Sequence, residues 1–440
     1  MVVRKCLQAL LFLALPSAAY SACPKLSAFY SAENTGWESR LTELEPLFEL
    51  CLQSSQYFAL LGAAQLNTGD IGQAIESLER ALLLDADNGA ALIDYSEALF
   101  VDGQLFSALE AGKLLTSRDD VPEELRRQIL VRQQRWQQMT RQTNLQLSFN
   151  GGYDKNLNGA PGDSQIALTL SGEPILLSLS EEYRSAAGTF LSSGIALEHI
   201  RLAPDSQRSY LGQIRGRLSE DRPSDVIQTS FNYSALKAGQ AVDRREGFGV
   251  THLNLRDRSL FSAANLSHRF EFSDAESRCL KFINTEIQHQ TWHIQRRLDG
   301  VEAEAGIGGL CSFPNLEGNS FGLELSVIKN FSTYDTRLGG DRLGWQLLGQ
   351  WQTRMGKGLM TAQAEMASLQ DSEGYSVLLD NNSRRSISRR SLLVQYRYPH
   401  SISGVPSELT LNFFHQDQRS NLDLFQITDT SLSVGVVLNF

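Results

Sequence analysis

From Asn144 to Phe440 the chain repeats one pattern: segments of about 9–14 residues in which apolar and polar positions alternate, separated by turn residues. Leu145-Leu147-Phe149, Ile166-Leu168-Leu170, Ile175-Leu177-Leu179 and Phe321-Leu323-Leu325-Val327 each present one apolar face, with mostly Ser, Gln, Thr or Glu between. The last strand is the clearest. Leu432, Val434, Val436, Leu438 and Phe440 point one way, Ser433, Gly435 and Asn439 the other. A period of two ending on a terminal aromatic predicts strands with one face toward lipid and one toward a polar interior, closed into an antiparallel transmembrane β-barrel. Counting segments predicts 16 strands if Gly172-Glu173 is a tight turn and 15 if it is a bulge, and only an even number closes with both ends on one side.

Upstream the pattern is helical and repeats. Gly69 aligns with Gly103, Ala74 with Ala108, Leu61 with Tyr95 and Leu78 with Gly112 at one fixed offset. That offset of about 34 residues resembles the tetratricopeptide repeat, a pair of antiparallel helices. Ser55 to Asn88 carries Leu61-Gly62 in its first helix, Gly69 at the turn, and Ala74, Leu78 and Ala81 in its second. The second repeat, Gly89 to Pro122, has Ser96 and Gly112 at the corresponding small and large positions. A capping helix is predicted over Glu43 to Leu52 and a charged amphipathic one over Pro122 to Gln142. In this repeat family the concave face docks peptides or other chains. The inward positions here would be Gln56, Ala59, Ala63 and Asn67, then Ile93, Glu97 and Phe100, although Ile93 and Phe100 can equally fill the core between repeats.

The chain is therefore read as α + β in two domains: a short α-solenoid over 23–142 and a barrel of 14–16 strands over 143–440. Residues 1–22 read as a secretory signal peptide, with Arg4-Lys5, an apolar run from Leu7 to Leu15, then Pro16 and Ser17-Ala18-Ala19. Ser21-Ala22-Cys23 also resembles a lipoprotein cleavage site, though Tyr20 stands where such sites usually carry Leu. These features predict the outer membrane of a Gram-negative bacterium, with the helical domain in the periplasm. The first strand then rises outward. Tyr153 to Asp163, Ser332 to Gly340, Asp371 to Arg385 and Asp417 to Asp423 become extracellular loops, and Gly172-Glu173 and Gly356-Lys357-Gly358 periplasmic turns.

Net charge is -10, more negative once Arg4 and Lys5 leave, so nucleic acid is not an expected partner. Outer-membrane lipid is, and the terminal Phe440 is the kind of signal that the barrel-assembly machinery reads. Four cysteines remain after the leader, an even number for an oxidising compartment. Cys23 with Cys51 would tie the N-terminus to the capping helix, unless Cys23 carries lipid. Cys279 begins one strand and Cys311 ends the next, which brings both to the same end of the barrel. His289, Thr291 and His293 share a strand face, and His199, His252, His268, His400 and His415 fall at no ligand spacing. They read as neutral side chains facing a wet lumen rather than a metal site. Asp154-Lys155-Asn156-Leu157-Asn158-Gly159 matches half of a calcium loop, but Gln165 at its twelfth position cannot give the bidentate carboxylate. The Asn-x-Ser triplets at Asn232, Asn265 and Asn330 lie in predicted strands. No catalytic triad, nucleotide loop or spaced carboxylate pair is present, so no enzyme and no cofactor is expected.

Tyr153-Asp154-Lys155-Asn156-Leu157-Asn158-Gly159-Ala160-Pro161 is similar to the Asp-x-Asn-x-Asn-x-Ala-Pro stretch of the surface lipoprotein assembly modifiers. Ser420-Asn421-Leu422-Asp423-Leu424-Phe425 is similar to the Ser-Asn-hydrophobic segment before that family's final strand. The resemblance implies a 14-stranded translocon whose periplasmic repeats receive a secreted or surface protein client. Polysaccharide exporters also join such repeats to a barrel, but with longer arrays; a passive porin or structural anchor is the third reading. The closing strand must pair with the opening one. Leu438, Val436 and Phe440 beside Leu147 and Phe149 would form a seam, a candidate gate.

Overall fold

The computed structural model describes residues 23–29, 36–272, 278–313 and 318–440; the leader read over 1–22 lies outside them. The chain divides into two compact units between Met139 and Thr140.

The helical unit holds α1 (Trp37–Leu44), α2 (Ser55–Thr68), α3 (Ile71–Leu84), α4 (Gly89–Val101), α5 (Leu105–Thr116) and α6 (Glu123–Met139). Three of them start on side-chain caps: Ser54, Asp70 and Asn88 accept from the backbone N–H of Tyr57, Gln73 and Ala91. Gly69 ends α2 at φ 89°, where a left-handed residue releases the chain into α3. The expected capping helix over Glu43 to Leu52 is different in kind. Helix α1 ends at Leu44 and a 3-10 turn runs from Glu45 to Leu50, because Pro46 lacks the N–H that would continue the α-helix. Gly62 permits the close crossing of α2 and α3: a Cβ there would lie 2.5 Å from Leu78 Cγ. Gly112 likewise leaves room for the Gln133 side chain of α6. Cys23 is bonded to Cys51, with Cα atoms 4.8 Å apart, so its sulfur is not free for a lipid thioether.

The second unit is a closed antiparallel barrel of fourteen strands. In barrel order these are β1 (Arg141–Asp154), β4 (Gly188–Ala203), β5 (Ser206–Ser219), β6 (Val226–Lys237), β7 (Asp243–Leu255), β8 (Arg258–Phe272), β9 (Cys279–Trp292), β10 (Gly300–Phe313), β11 (Asn319–Ser332), β12 (Arg342–Met355), β13 (Gly358–Gly374), β14 (Arg384–Ile402), β15 (Val405–Ser420) and β16 (Ile427–Asn439), which returns to β1. The count of sixteen is corrected here. Two of the segments, β2 (Gln165–Leu170) and β3 (Glu173–Ser178), pair only with each other, as a hairpin between β1 and β4. Six residues are too few to cross a bilayer, which needs about 9–11. Gly172-Glu173 is therefore not a turn between spanning strands. Ser171 and Gly172 both have positive φ, 53° and 85°, at the tip of this hairpin, on the far end from where β1 begins.

Strand lengths and directions place the links 333–341, 375–383 and 421–426 at that same far end, with the hairpin-bearing segment 155–187. The near end carries the short links, including Gly356-Lys357 and Ser403-Gly404. Side-chain contacts that skip a strand mark the concave face. Asn284 of β9 donates to Glu324 of β11 at 2.7 Å, and Arg269 of β8 lies 3.6 Å from the same carboxylate. Residues in register with these face the lumen. The alternate set, Phe149, Ile195, Ile214, Phe231, Val250, Leu266, Ile287, Leu325, Leu347 and Leu432 among them, forms an apolar outer band suited to hydrocarbon. Asn232, Asn265 and Asn330 all fall on the lumen side. Cys279 and Cys311 face each other on β9 and β10 at the near end and are bonded.

Replacing Gly62 with Val is expected to destabilise the helical unit by about 1–3 kcal/mol through overpacking against Leu78. Thermal loss of the helical circular dichroism signal, compared with wild type, measures it; an unshifted midpoint would refute the close crossing.

Candidate functional site

The site grows from the closure of the barrel. Strand β1 pairs with β16 from Gln146–Asn439 to Asp154–Ser431, a register shorter than those of the other neighbouring strands. Leu145 and Phe440 exchange both backbone hydrogen bonds, at 3.0 and 2.8 Å, and Lys155 N–H donates to Thr430 O at 3.0 Å, so the ladder is satisfied along the seam. Leu147 stands opposite Leu438 and Phe149 opposite Val436, all on the outer face. The lumen face of the same strands is mostly polar: Gln146, Ser148 and Asn150 from β1, with Ser433, Gly435, Val437 and Asn439 from β16, of which Val437 is the apolar exception. Gly435 lies beneath the Asn150 side chain, which reaches over β16 to accept from Thr410 Oγ1 of β15 at 3.2 Å. A Cβ at position 435 would collide with that amide.

Two cavities meet along this wall at Gln146. The inner one, about 590 Å3, is lined chiefly by amides and hydroxyls, among them Gln146, Asn150, Gln228, Gln395 and Asn412, with Arg215 and Arg217 on its flank. The other, about 490 Å3, opens toward the near end between Gln146, Glu198, Gln213, Asn439 and Phe440. Such a wall offers many neutral donors and acceptors and few fixed charges. It suits extended polar chains, peptide backbone or sugar hydroxyls, which exchange one set of hydrogen bonds for the next.

At the far end the seam is latched. Asp154 is buried, accepts from Asn156 N–H at 2.8 Å and pairs with Arg217 of β5 at 3.2 Å. Asn156, also buried, donates to Ala160 O and Thr428 O at 2.9 and 3.1 Å and accepts from Ala160 N–H at 3.0 Å. Asn158 reaches the other way, donating to Arg184 O and accepting from Ala186 N–H, both on the segment leading into β4. The carboxylate and amides of the calcium-like stretch are thus used on β5, β16 and the approach to β4, and Gln165 lies away in β2. The second short motif works similarly: Asn421 accepts from Ser386 N–H at 2.8 Å and donates to Arg384 O at 3.0 Å. Asp423 accepts from Ala167 N–H, and Leu378 O from Thr169 N–H, which holds the β2–β3 hairpin against two neighbouring loops. Arg385 packs against both the Tyr375 and Phe425 rings, 4.5 and 4.4 Å from their centroids, which themselves meet edge to face at 4.9 Å, while binding Asp371 through two nitrogens.

The candidate docking face of the helical unit is smaller than the repeat pattern suggests. Gln56 and Asn67 are exposed and Ala63 half-buried, but Ala59 is in the core. Ile93 packs into the second core cluster, Phe100 stacks on Trp136 at 4.6 Å, and Glu97 is bound by Arg132 at 2.9 Å. The reason is α6: Trp136 and Arg132 approach the first helix of the second repeat and occupy the side chains that would otherwise face a partner. The Arg132 side chain also places charge beside Asp94.

The histidines also differ from expectation. His289, Thr291 and His293 share the face of Ile283 and Ile287, which is the outer one, not the lumen; the polar run had suggested water inside, but register decides the side. Among the described residues no group of three or more His, Cys, Asp or Glu could hold a metal.

No protein-family profile matches the chain, and no curated protein sequence matches it. Among solved structures it is similar to the outer membrane channel DcaP of Acinetobacter baumannii, at 9% identity over 69% of this chain and 98% of that one, TM-score 0.38. An anion-selective porin from Comamonas acidovorans is similar at 10% identity over 68% and 99% of the two chains, TM-score 0.37. The type III secretion translocator chaperone SycD of Yersinia enterocolitica is similar at 20% identity over 23% of this chain and 73% of that one, TM-score 0.23. Scores this low carry no functional argument.

Two outcomes follow from the geometry. Asn156→Ala leaves Thr428 O and the Ala160 backbone without partners, so barrel unfolding, read from the heat-dependent gel mobility of the folded form, is expected to weaken by about 2–4 kcal/mol; wild-type behaviour would show that the latch is dispensable. Burial pushes the Asp94 carboxyl up to about 6, with Arg132 pulling it down and Glu97 pushing it further up. A raised carboxyl means that the folded chain holds the proton more tightly than the unfolded one, so helical-unit stability should fall as pH rises between about 4 and 6 and stay lower above. Asp94→Asn should abolish that decline and raise the melting temperature at neutral pH; a flat wild-type profile would contradict the assignment.

Proposed function

We propose that this chain is an outer-membrane passage for a secreted or surface protein client, with the helical domain in the periplasm as the client's docking module. The observation that carries this reading is the polar seam wall: amide-lined cavities run along the inner face of the β1–β16 closure toward the near end. The chain enters β1 there directly from α6. An extended polypeptide sliding past neutral amides can trade backbone hydrogen bonds without being held by fixed charge. The two short motifs similar to those of the surface lipoprotein assembly modifiers support the same direction, and the role is non-catalytic. The docking face would centre on Gln56, Ala63 and Asn67, because Phe100, Ile93 and Glu97 are engaged within the unit.

The same amide and hydroxyl lining favours a second reading, export of a neutral polysaccharide, whose hydroxyls pair with the same groups. A passive porin would need no docking helices. Deletion of the gene separates these: loss of a client from the surface of intact cells, read by protease shaving, supports protein passage, whereas unchanged display of every candidate client defeats it. The seam supplies a sharper test. Ser148 and Val437 are directly opposed on the lumen face, so Ser148→Cys with Val437→Cys should form a cross-strand disulfide. Export is expected to fall when this pair is oxidised and to recover on reduction; undiminished export through the locked barrel would eliminate the seam as gate.

A further inference from the structure

The outer face of the barrel is not uniformly apolar. Above Val250, Ala264 and Ile287, toward the far end of β7–β9, the outward positions become His252, Ser262, His289 and Thr291. His252 Nδ1 lies 2.8 Å from Ser262 Oγ, and the same hydroxyl lies 2.7 Å from His293 Nε2. The two imidazoles stand 5.7 Å apart, edge to face. Polar side chains on a lipid-facing surface are costly unless something polar meets them.

Below this cluster the face becomes a furrow. One outer hollow of about 400 Å3 is lined by Phe231, Val250 and Ala264 under His252 and His289. A second, of about 650 Å3, follows it one register step down between Phe248, Leu266 and Ile287, and ends toward the near end on the polar Glu246, His268 and Thr285. Small Ala264 and Ala303 recess the wall where larger side chains would fill it. Above the cluster, the turns 256–258 and 293–299 carry Arg256, Arg258, Arg296 and Arg297 against Asp257 and Asp299. All four arginines are exposed, and Arg296 makes a loose 3.6 Å contact with Asp299. The order from turn to mid-barrel is thus cationic, hydrogen-bonding, then apolar.

That order matches an anionic amphiphile standing in the outer leaflet. We propose that this sector binds a phosphate-bearing glycolipid, with the phosphate held by the turn arginines, the headgroup hydroxyls by the His252–Ser262–His293 cluster, and an acyl chain in the furrow. Basic side chains at headgroup height attract such lipids, and an apolar groove below them adds burial of the chain. The inference rests on the membrane placement proposed above, but not on any client.

The test uses the full mature chain in detergent, with bisphosphorylated lipid A and its dephosphorylated counterpart as probes and native mass spectrometry as readout. Wild type should retain the bisphosphorylated lipid about tenfold better than the other, the worth of one charge-assisted hydrogen bond. Arg256→Ala with Arg297→Ala, and separately His252→Ala with His293→Ala, should each lose most of that preference. His415→Ala, on the outer face of β15, should keep it. Heat-dependent gel mobility confirms that each variant is folded, and the arginine pair, on exposed turns, keeps the test valid if the histidine pair misfolds. Equal retention of the two lipids by wild type overturns the proposal, as does unchanged preference in the folded variants. Complete displacement by inorganic phosphate would also overturn it, showing a simple anion site. Because no client is present, failure here leaves the proposed passage standing, and loss of client display says nothing about lipid retention.

Discussion

Backbone N–H and C=O groups have no water to bond inside a bilayer, so a sheet that crosses it cannot keep a free edge. In this chain the requirement falls on one junction. Thirteen of the fourteen neighbour relations join strands that follow one another around the barrel, whereas β1 and β16 come from opposite ends of the domain. Leu145 and Phe440 close the ladder at the near end, and Lys155 and Thr430 close it at the far end. Other features of the structure are arranged around that closure: Gly435 is bare so that Asn150 can lie over it, and Asn156 ties the first loop back to β16.

The far-end loops extend the same economy of contacts. Asp154, Asn156 and Asn158 look like ion ligands when read as a string, because alternating oxygens are what a cation needs. Backbone groups need them too. Here the amides are directed at Thr428, Ala160, Arg184 and Ala186, and the carboxylate at Arg217, so one short stretch fastens β1 to strands on both sides. Asn421 and Arg385 fasten the opposite group of loops. The mouth at this end is therefore built of cross-braced loops, and the β2–β3 hairpin is held among them rather than added to the wall.

In the helical unit the repeat supplied the architecture and the last helix changed its surface. Small residues at Gly62, Ala74 and Ala81 let neighbouring helices approach, which is legible in sequence spacing. That Trp136 would cover Phe100, and Arg132 would hold Glu97, is not, because it depends on where α6 comes to rest after Pro122. The candidate docking face is left with polar Gln56 and Asn67 beside small Ala63, which by themselves offer little apolar area.

Sequence alone determined the elements whose cause is local. Alternation at a period of two marks a strand half in lipid, the offset near 34 residues marks paired helices, and turn residues mark the loops, since each depends only on backbone geometry and on near neighbours. Tertiary structure decided what depends on pairing between distant segments. The Ile166 and Ile175 segments alternate like any spanning strand, yet they are a surface hairpin, because length and available partners, not alternation, admit a strand to the wall. His289 and His293 could face water or lipid by pattern alone; their register with Ala264 and the strands beyond it put them outside. The amide-lined seam exists only once residues near 146 and 439 are neighbours, and no local property of either segment specifies that meeting.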